Sequence, residues 1–167
     1  MKKYVGYITA CLLLAAAVAC QPAAETPMAG SVLSGELEGA KFKMATGDEY
    51  DKFIAMNEAF NNMDAAGVFA NAADSVSMHA EDGSVSVLTE EMFEAYFGMM
   101  DSVKWDLYAV IPLQVEGSEA TSLLVFGREI RHMKDGTVWD KGLFERFVYR
   151  DGKMTAVYQW TKEPEES

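Results

Sequence analysis

Two short stretches decide the fold, Met133-Lys134-Asp135-Gly136-Thr137-Val138 and Tyr149-Arg150-Asp151-Gly152-Lys153-Met154. Each places Asp-Gly between runs rich in aromatic and β-branched residues, the strongest short-range hairpin signal a sequence carries. Working outward, they predict strands over Thr121–Met133, Val138–Tyr149 and Met154–Thr161. A further strand, Asp106–Glu116, precedes them across Gly117-Ser118-Glu119. Gly127 and Gly142 interrupt otherwise apolar strands and nearly face one another, and strand glycines commonly mark a bend. The sheet is therefore expected to curl.

Upstream the period changes from two to between three and four. Thr46-Gly47-Asp48-Glu49 has capping-box spacing, and Tyr50, Phe53, Met56, Phe60 and Met63 follow on one helical stripe. Asp64 caps a short second helix that turns Val68 and Phe69 inward. Asp74 to Ala80 alternates, with Val76, Met78 and Ala80 on one face and Ser75, Ser77 and His79 on the other. After the Glu81-Asp82-Gly83-Ser84 turn and a short strand Val85–Leu88, Thr89 caps a third helix with Phe93, Tyr96, Phe97 and Met100 as its apolar stripe. Helices first and a meander afterwards is an α+β order, predicting a curved antiparallel sheet wrapped around three N-terminal helices, a cone-shaped, cystatin-like roll.

The first residues read differently. Lys2 and Lys3, the apolar run Ile8 to Val18 and the small residues Ala17-Val18-Ala19 before Cys20 have the layout of a secretory leader. The apolar run is too short for a bilayer span of about 20 residues. The pattern resembles a bacterial lipoprotein signal, with Ala17 where leucine is usual. On that reading residues 1–19 are a signal peptide, Cys20 is the lipidation site, 20–45 a flexible tether, 46–162 the domain and 163–167 an acidic tail. Because Cys11 leaves with the leader, Cys20 is the one mature cysteine and no internal disulfide is possible. The expected location is the bacterial cell envelope, lipid-anchored at the outer membrane and facing the periplasm or the surface. Removing Lys2 and Lys3 leaves 12 basic against 26 acidic residues, a net charge of −14. Such a chain repels nucleic acid and anionic lipid, so its membrane contact should be the anchor alone.

Over roughly Gly47 to Thr161 the chain resembles the nuclear transport factor 2-like (SnoaL-like) superfamily. The resemblance rests on the order of elements, the joint Phe60-Asn61-Asn62-Met63-Asp64, the turn Ser77-Met78-His79-Ala80-Glu81-Asp82-Gly83 and the hairpin Phe147-Val148-Tyr149-Arg150-Asp151-Gly152-Lys153. It implies the fold; the superfamily hosts isomerases, dehydratases and epoxide hydrolases as well as binding and assembly modules. Isomerase-like members carry a carboxylate at the end of the first strand of the sheet and a tyrosine in the first helix. Here those positions are Ala80 and Met56, and alternation turns His79 away from the pocket. A third position does match: the acid just before Phe147 is Glu145.

Glu145 shares its strand face with Trp139, Leu143, Phe147 and Tyr149, so it should be buried and in need of a proton or a partner. Assuming a two-residue turn at Asp135-Gly136, the same face of the neighbouring strand carries Leu124, Phe126, Arg128, Ile130 and His132. Arg128 then lies diagonal to Glu145, and Tyr158 opposite on the other side. The simplest outcome is a buried Glu145–Arg128 ion pair. The sharper one is the polar floor of a ligand pocket formed by Arg128, Glu145, Trp139, Tyr158 and Trp160, where Arg128 meets the carbonyl or anionic group of a small apolar molecule. The methionines are spread along buried stripes, and with only His79 and His132 no metal-ligand spacing exists. No phosphate loop, Gly-x-Ser-x-Gly or Cys-x-x-Cys is present, so neither metal nor cofactor is expected.

Three functions follow. The first is a membrane-anchored, non-catalytic small-molecule-binding lipoprotein. The second is an acid–base isomerase or dehydratase drawing on Glu145, His132 and Tyr158. The third is an assembly module acting through the outer sheet face. The registers assumed above turn Leu123, Val125, Phe144, Val148 and Val157 outward, a patch suited to a homodimer.

Overall fold

The computed structural model describes residues 28–163. The leader, Cys20 and the end of the acidic tail lie outside the described residues. The chain order is β1 (Met28–Ser31), β2 (Lys41–Met44), α1 (Glu49–Asn61), α2 (Ala65–Phe69), β3 (Ala72–His79), β4 (Val85–Leu88), α3 (Glu90–Phe97), β5 (Met100–Val115), β6 (Thr121–Met133), β7 (Val138–Arg150) and β8 (Lys153–Lys162). One eight-stranded sheet runs β1-β2-β5-β6-β7-β8-β3-β4, and the three helices pack against it as an α+β roll. All its pairings are antiparallel except β3 with β8, which is parallel.

The sheet begins earlier than the sequence reading placed it. β2 pairs with β5 through Phe42↔Val115 and Met44↔Leu113, and β1 adds to β2 at the edge. Met28–Ser31 and Lys41–Met44, which the sequence reading placed in a tether, are therefore strands of the sheet. β5 is also longer than expected, starting at Met100.

The helices start as their sequences ask, with one exception. Asp64 accepts from the Gly67 backbone at 3.1 Å and Thr89 from Met92 at 3.3 Å. At α1 the capping box does not form; Asp48 is the N-cap without a side-chain cap, and its carboxylate pairs with Lys52 at 2.9 Å. α1 buries Phe53, Met56, Asn57 and Phe60. Phe53 packs edge-on against Trp105 and Phe147, with ring centroids at 5.7 and 4.9 Å. Phe53 is wholly buried, and truncating such a ring to alanine costs about 3–5 kcal/mol.

Two local features set which residues face the helices. At the first hairpin Met133 N–H donates to Thr137 and Gly136 N–H to Met133, with Gly136 at φ +88°. This is a three-residue loop, Lys134-Asp135-Gly136, in which a turn is followed by a left-handed glycine bulge. Val125 therefore stands opposite Glu145, one residue away from the expected register. At the second hairpin Asp151 (φ 51°) and Gly152 (φ 70°) make the two-residue turn the sequence predicts. A bulge then falls at Thr155, since Tyr149 pairs with Met154 but Val148 pairs with Ala156. Beyond it Glu145 faces Gln159 and not Tyr158. A one-residue slip exchanges the two faces of a strand, and here it does so on both sides of β7.

Gly127 explains part of the curl. It stands opposite Leu107, where β5 carries its own bulge at Tyr108. A Cβ on Gly127 would lie 2.6 Å from the Asp106 carbonyl oxygen, so β5 and β6 can approach this closely only at glycine.

Candidate functional site

Because β6 presents Leu123, Val125, Gly127, Glu129 and Arg131 to the concave side, two charged residues join Glu145 beneath the helices. They sit at the floor of a cavity of about 540 Å³. Its walls are largely apolar, from Met56 and Phe60 of α1, Phe69 of α2, Met92 and Phe93 of α3, and Phe147 of β7. Its polar groups are few: Tyr96, Trp105, Glu129, Arg131, Glu145 and Gln159. A pocket of this size with a few convergent polar groups has the build of a small-molecule site.

The floor carries two carboxyl groups in opposite circumstances. Glu129, 2 % exposed, is held by Arg131, whose Nε and Nη2 both donate to it, the latter at 2.8 Å. The Arg131 Nη1 donates to the Tyr96 hydroxyl, and its guanidinium lies 3.9 Å from the centre of the Trp139 ring. Burial pulls Arg131 down, but its bonds to Glu129 and the charge of that group outweigh it, so the guanidinium is held firmly protonated.

Glu145, 4 % exposed, has no cation bonded to it. Its Oε1 accepts from Gln159 Nε2 at 2.8 Å, while its Oε2 is buried without a partner. Burial pushes its carboxyl up to about 8; the Glu129 charge adds to this, and the Gln159 hydrogen bond and Arg131 oppose it. At neutral pH it is therefore a carboxylic acid with a proton to give. One carboxyl group of the floor is held by a guanidinium and the other has no cation bonded to it.

Trp105 completes the floor. Its backbone is clamped by α1: Asn57 and Asn61 Nδ2 each donate to its carbonyl at 3.2 Å, and its N–H donates to Asn61 Oδ1. The indole packs edge-on against Phe60, 5.4 Å between ring centroids, and Nε1 sits where a Cβ on Gly127 would come within 3.1 Å.

Of the residues the sequence singled out, Glu145 is where it was expected. Others are not. Arg128 points to the convex side and forms a two-bonded pair with Asp140, at 2.8 and 2.6 Å. The anticipated Glu145–Arg128 pair does not exist, because the three-residue loop turns Arg128 outward. Tyr158 is also outward, stacked on His79 at 4.3 Å, with the Arg146 guanidinium 4.7 Å from its ring centre. His132 is exposed, and Trp160 is 43 % exposed in a row of stacked rings with Phe144 and Phe126. Trp139 supports Arg131 without lining the cavity. His79 points away from the cavity as expected, and Met56 lines it. The outer patch also needs correction: Leu123, Val125 and Val157 are core residues and Val148 is buried, leaving Phe144 of the five on the accessible outer face.

The sequence reading missed Glu129, Arg131, Gln159 and Trp105. The signal for the first two was the hairpin itself: Lys-Asp-Gly also fits the three-residue loop, and that register places Glu129 and Arg131 on the Glu145 face. Nothing in the sequence announced the bulge at Thr155 that brings in Gln159.

No family model matches the chain, and no curated protein matches it. Solved structures do. A candidate aromatic ring hydroxylase from Novosphingobium aromaticivorans superposes with a TM-score of 0.58 at 18 % identity, covering 69 % of this chain and 87 % of that one. A candidate dehydratase of the NTF2-like family from Streptomyces avermitilis gives 0.56 at 12 %, covering 69 % and 94 %. An NTF2-like protein of unknown function from Burkholderia pseudomallei gives 0.53 at 15 %, covering 70 % and 92 %. The expectation of a non-catalytic binding protein is corrected by these findings: the fold's neighbours include candidate enzymes. Helix order and the curved sheet agree with these structures, so the described residues share the fold of these NTF2-like proteins.

Proposed function

We propose that the cavity is an active site for acid–base chemistry on a small, mainly apolar molecule that carries an oxygen function. The observation that carries this reading is the Glu145 Oε2, buried, without a partner and belonging to a carboxyl that keeps its proton at neutral pH. A neutral acid in an apolar cavity donates to an oxygen on which negative charge develops, and the low local dielectric strengthens that contact. Glu129, held by the Arg131 guanidinium, is the second carboxyl group of the floor and serves as the base that takes a proton from a carbon next to that oxygen. In one such step the C–H proton passes to Glu129 and the Glu145 proton to the oxygen, giving an enol. Return of the Glu129 proton to a different carbon and of the enol proton to Glu145 completes an isomerisation; where the substrate carries a β-hydroxyl, the Glu129 proton instead leaves with that hydroxyl as water and the enol proton returns to Glu145, giving the unsaturated ketone. The candidate dehydratase among the fold's neighbours is compatible with this class.

The test uses a simple ketone. The full chain should accelerate exchange of the α-hydrogens of 2-tetralone for deuterium in D2O, followed by proton NMR. Glu145→Gln should lower the enzyme-dependent rate by roughly 100-fold, the usual scale for one general acid. The parent rate should fall as pH rises through about 8, where Glu145 loses its proton. Exchange that is insensitive to both Glu145→Gln and Glu129→Gln would remove the cavity from consideration as an active site.

A further inference from the structure

Among the described residues, two buried side-chain polar atoms have no hydrogen-bond partner: Glu145 Oε2 and Trp105 Nε1. Both belong to residues that line the same cavity. The first is accounted for by the chemistry above. The second is a different kind of group, an indole N–H that can only donate. Buried tryptophan N–H groups ordinarily find an acceptor, and one left without any is costly unless a ligand or water supplies it.

The way Trp105 is held argues for a ligand. Three hydrogen bonds with the Asn57 and Asn61 side chains fix its backbone on the side where β5 has no neighbouring strand. Aromatic contacts with Phe53, Phe60 and Phe147 fix the ring. Gly127 leaves room for the nitrogen edge, where any side chain would crowd it. The result is a rigid donor with its one polar atom unused.

We infer that Trp105 Nε1–H is a specificity-determining hydrogen-bond donor, and that the cavity selects apolar molecules presenting an acceptor oxygen, such as an aryl or alicyclic ketone. This deepens the acid–base reading and rests on it for the identity of the site, but it concerns binding. A carbonyl oxygen has two lone pairs, so one that accepts from Trp105 keeps a second for another donor. Donor-only or purely hydrocarbon ligands leave the indole unpaired and are discriminated against. Trp105 is a positioning group here, and the proton stays on its nitrogen throughout.

Two probes of nearly the same shape separate the outcomes: 2-acetylnaphthalene and 2-isopropylnaphthalene, which replaces the carbonyl oxygen with a methyl group. The full chain labelled with 15N at its tryptophan indoles gives one N–H signal for each of Trp105, Trp139 and Trp160, and Trp105→Phe assigns the first by its loss. The ketone should bind roughly tenfold more tightly than the hydrocarbon, the worth of one added neutral hydrogen bond. It should also move the Trp105 indole proton downfield, while the hydrocarbon leaves it in place. Equal affinities, the same shift with both probes, or binding by neither would overturn the proposal. Because these signals are read on the folded parent, a poorly folding Trp105→Phe does not weaken the test. Comparing the indole shift with the exchange assay, both on the parent chain, separates the two readings. A ketone-induced shift that persists in a parent without exchange activity would refute the catalytic reading and leave this one intact. A missing shift beside normal exchange would do the reverse.

Discussion

Replacing Glu145 with glutamine tests the electrostatics of the site without reference to any substrate. In the folded chain the carboxyl titrates near 8, against an ordinary value of 4.5, because burial penalises its charged form. Its sign runs opposite to that of a salt-bridged acid. Below about pH 4.5 both folded and unfolded chains hold the proton, and the group contributes no pH dependence. Between about 4.5 and 8 the unfolded chain releases it and the folded chain does not, so stability falls as pH rises, by about 1.4 kcal/mol per unit. The accumulated loss should reach about 3 kcal/mol at pH 7 and about 5 kcal/mol by pH 9. Glutamine keeps the shape, can still accept from Gln159 and does not titrate. The difference in unfolding free energy between parent and Glu145→Gln, from urea titrations at intervals from pH 4 to 9, isolates this one group from the other carboxylates. The variant should gain on the parent steadily across that window and then level off. Two parallel curves would show that Glu145 is ionised in the folded state with a partner of its own, and the account of the cavity floor would be wrong.

The remaining predictions concern the neighbours of that group. Arg131→Leu leaves Glu129 as a buried, uncompensated carboxylate and should cost about 3–5 kcal/mol, with much of it recovered in the double change with Glu129→Leu. Arg128→Leu, which breaks only the solvent-facing pair with Asp140, should cost no more than about 1 kcal/mol in the same denaturation assay. Gly127→Ala drives a methyl group against the Asp106 carbonyl, 2.6 Å from its ideal position, and should destabilise by about 1–3 kcal/mol. A neutral Gly127→Ala would mean that β5 and β6 can separate there at little cost, and that the glycine is not what bends the sheet.

What the sequence made legible and what it hid divide along a physical line. Element types were carried by local signals: helical stripes such as Phe53-Met56-Phe60, caps at Asp64 and Thr89, and Asp-Gly turns. The burial of Glu145 was also legible, because Leu143, Phe147 and Tyr149 share its face of the strand. The partners of Glu145 were not, since they depend on registers across two hairpins and each register turned on a single residue. At Lys134-Asp135-Gly136 the same dipeptide serves a two-residue or a three-residue loop, and local chemistry does not choose between them. Burial does. With the shorter loop Leu123 and Val125 would face water while Arg128 and His132 went inward; with the longer one Leu123 and Val125 are fully buried and Arg128 is free to meet Asp140. Apolar content on each face of β6 favours the longer loop, which turns the charged residues Glu129 and Arg131 to the concave side. They are tolerated there because each neutralises the other, and that pairing leaves Glu145 as the acid without a cation. The register ambiguity and the chemistry thus have one source: a strand whose last inward positions are charged reads as wrongly turned until its charges are seen to close on one another around a cavity.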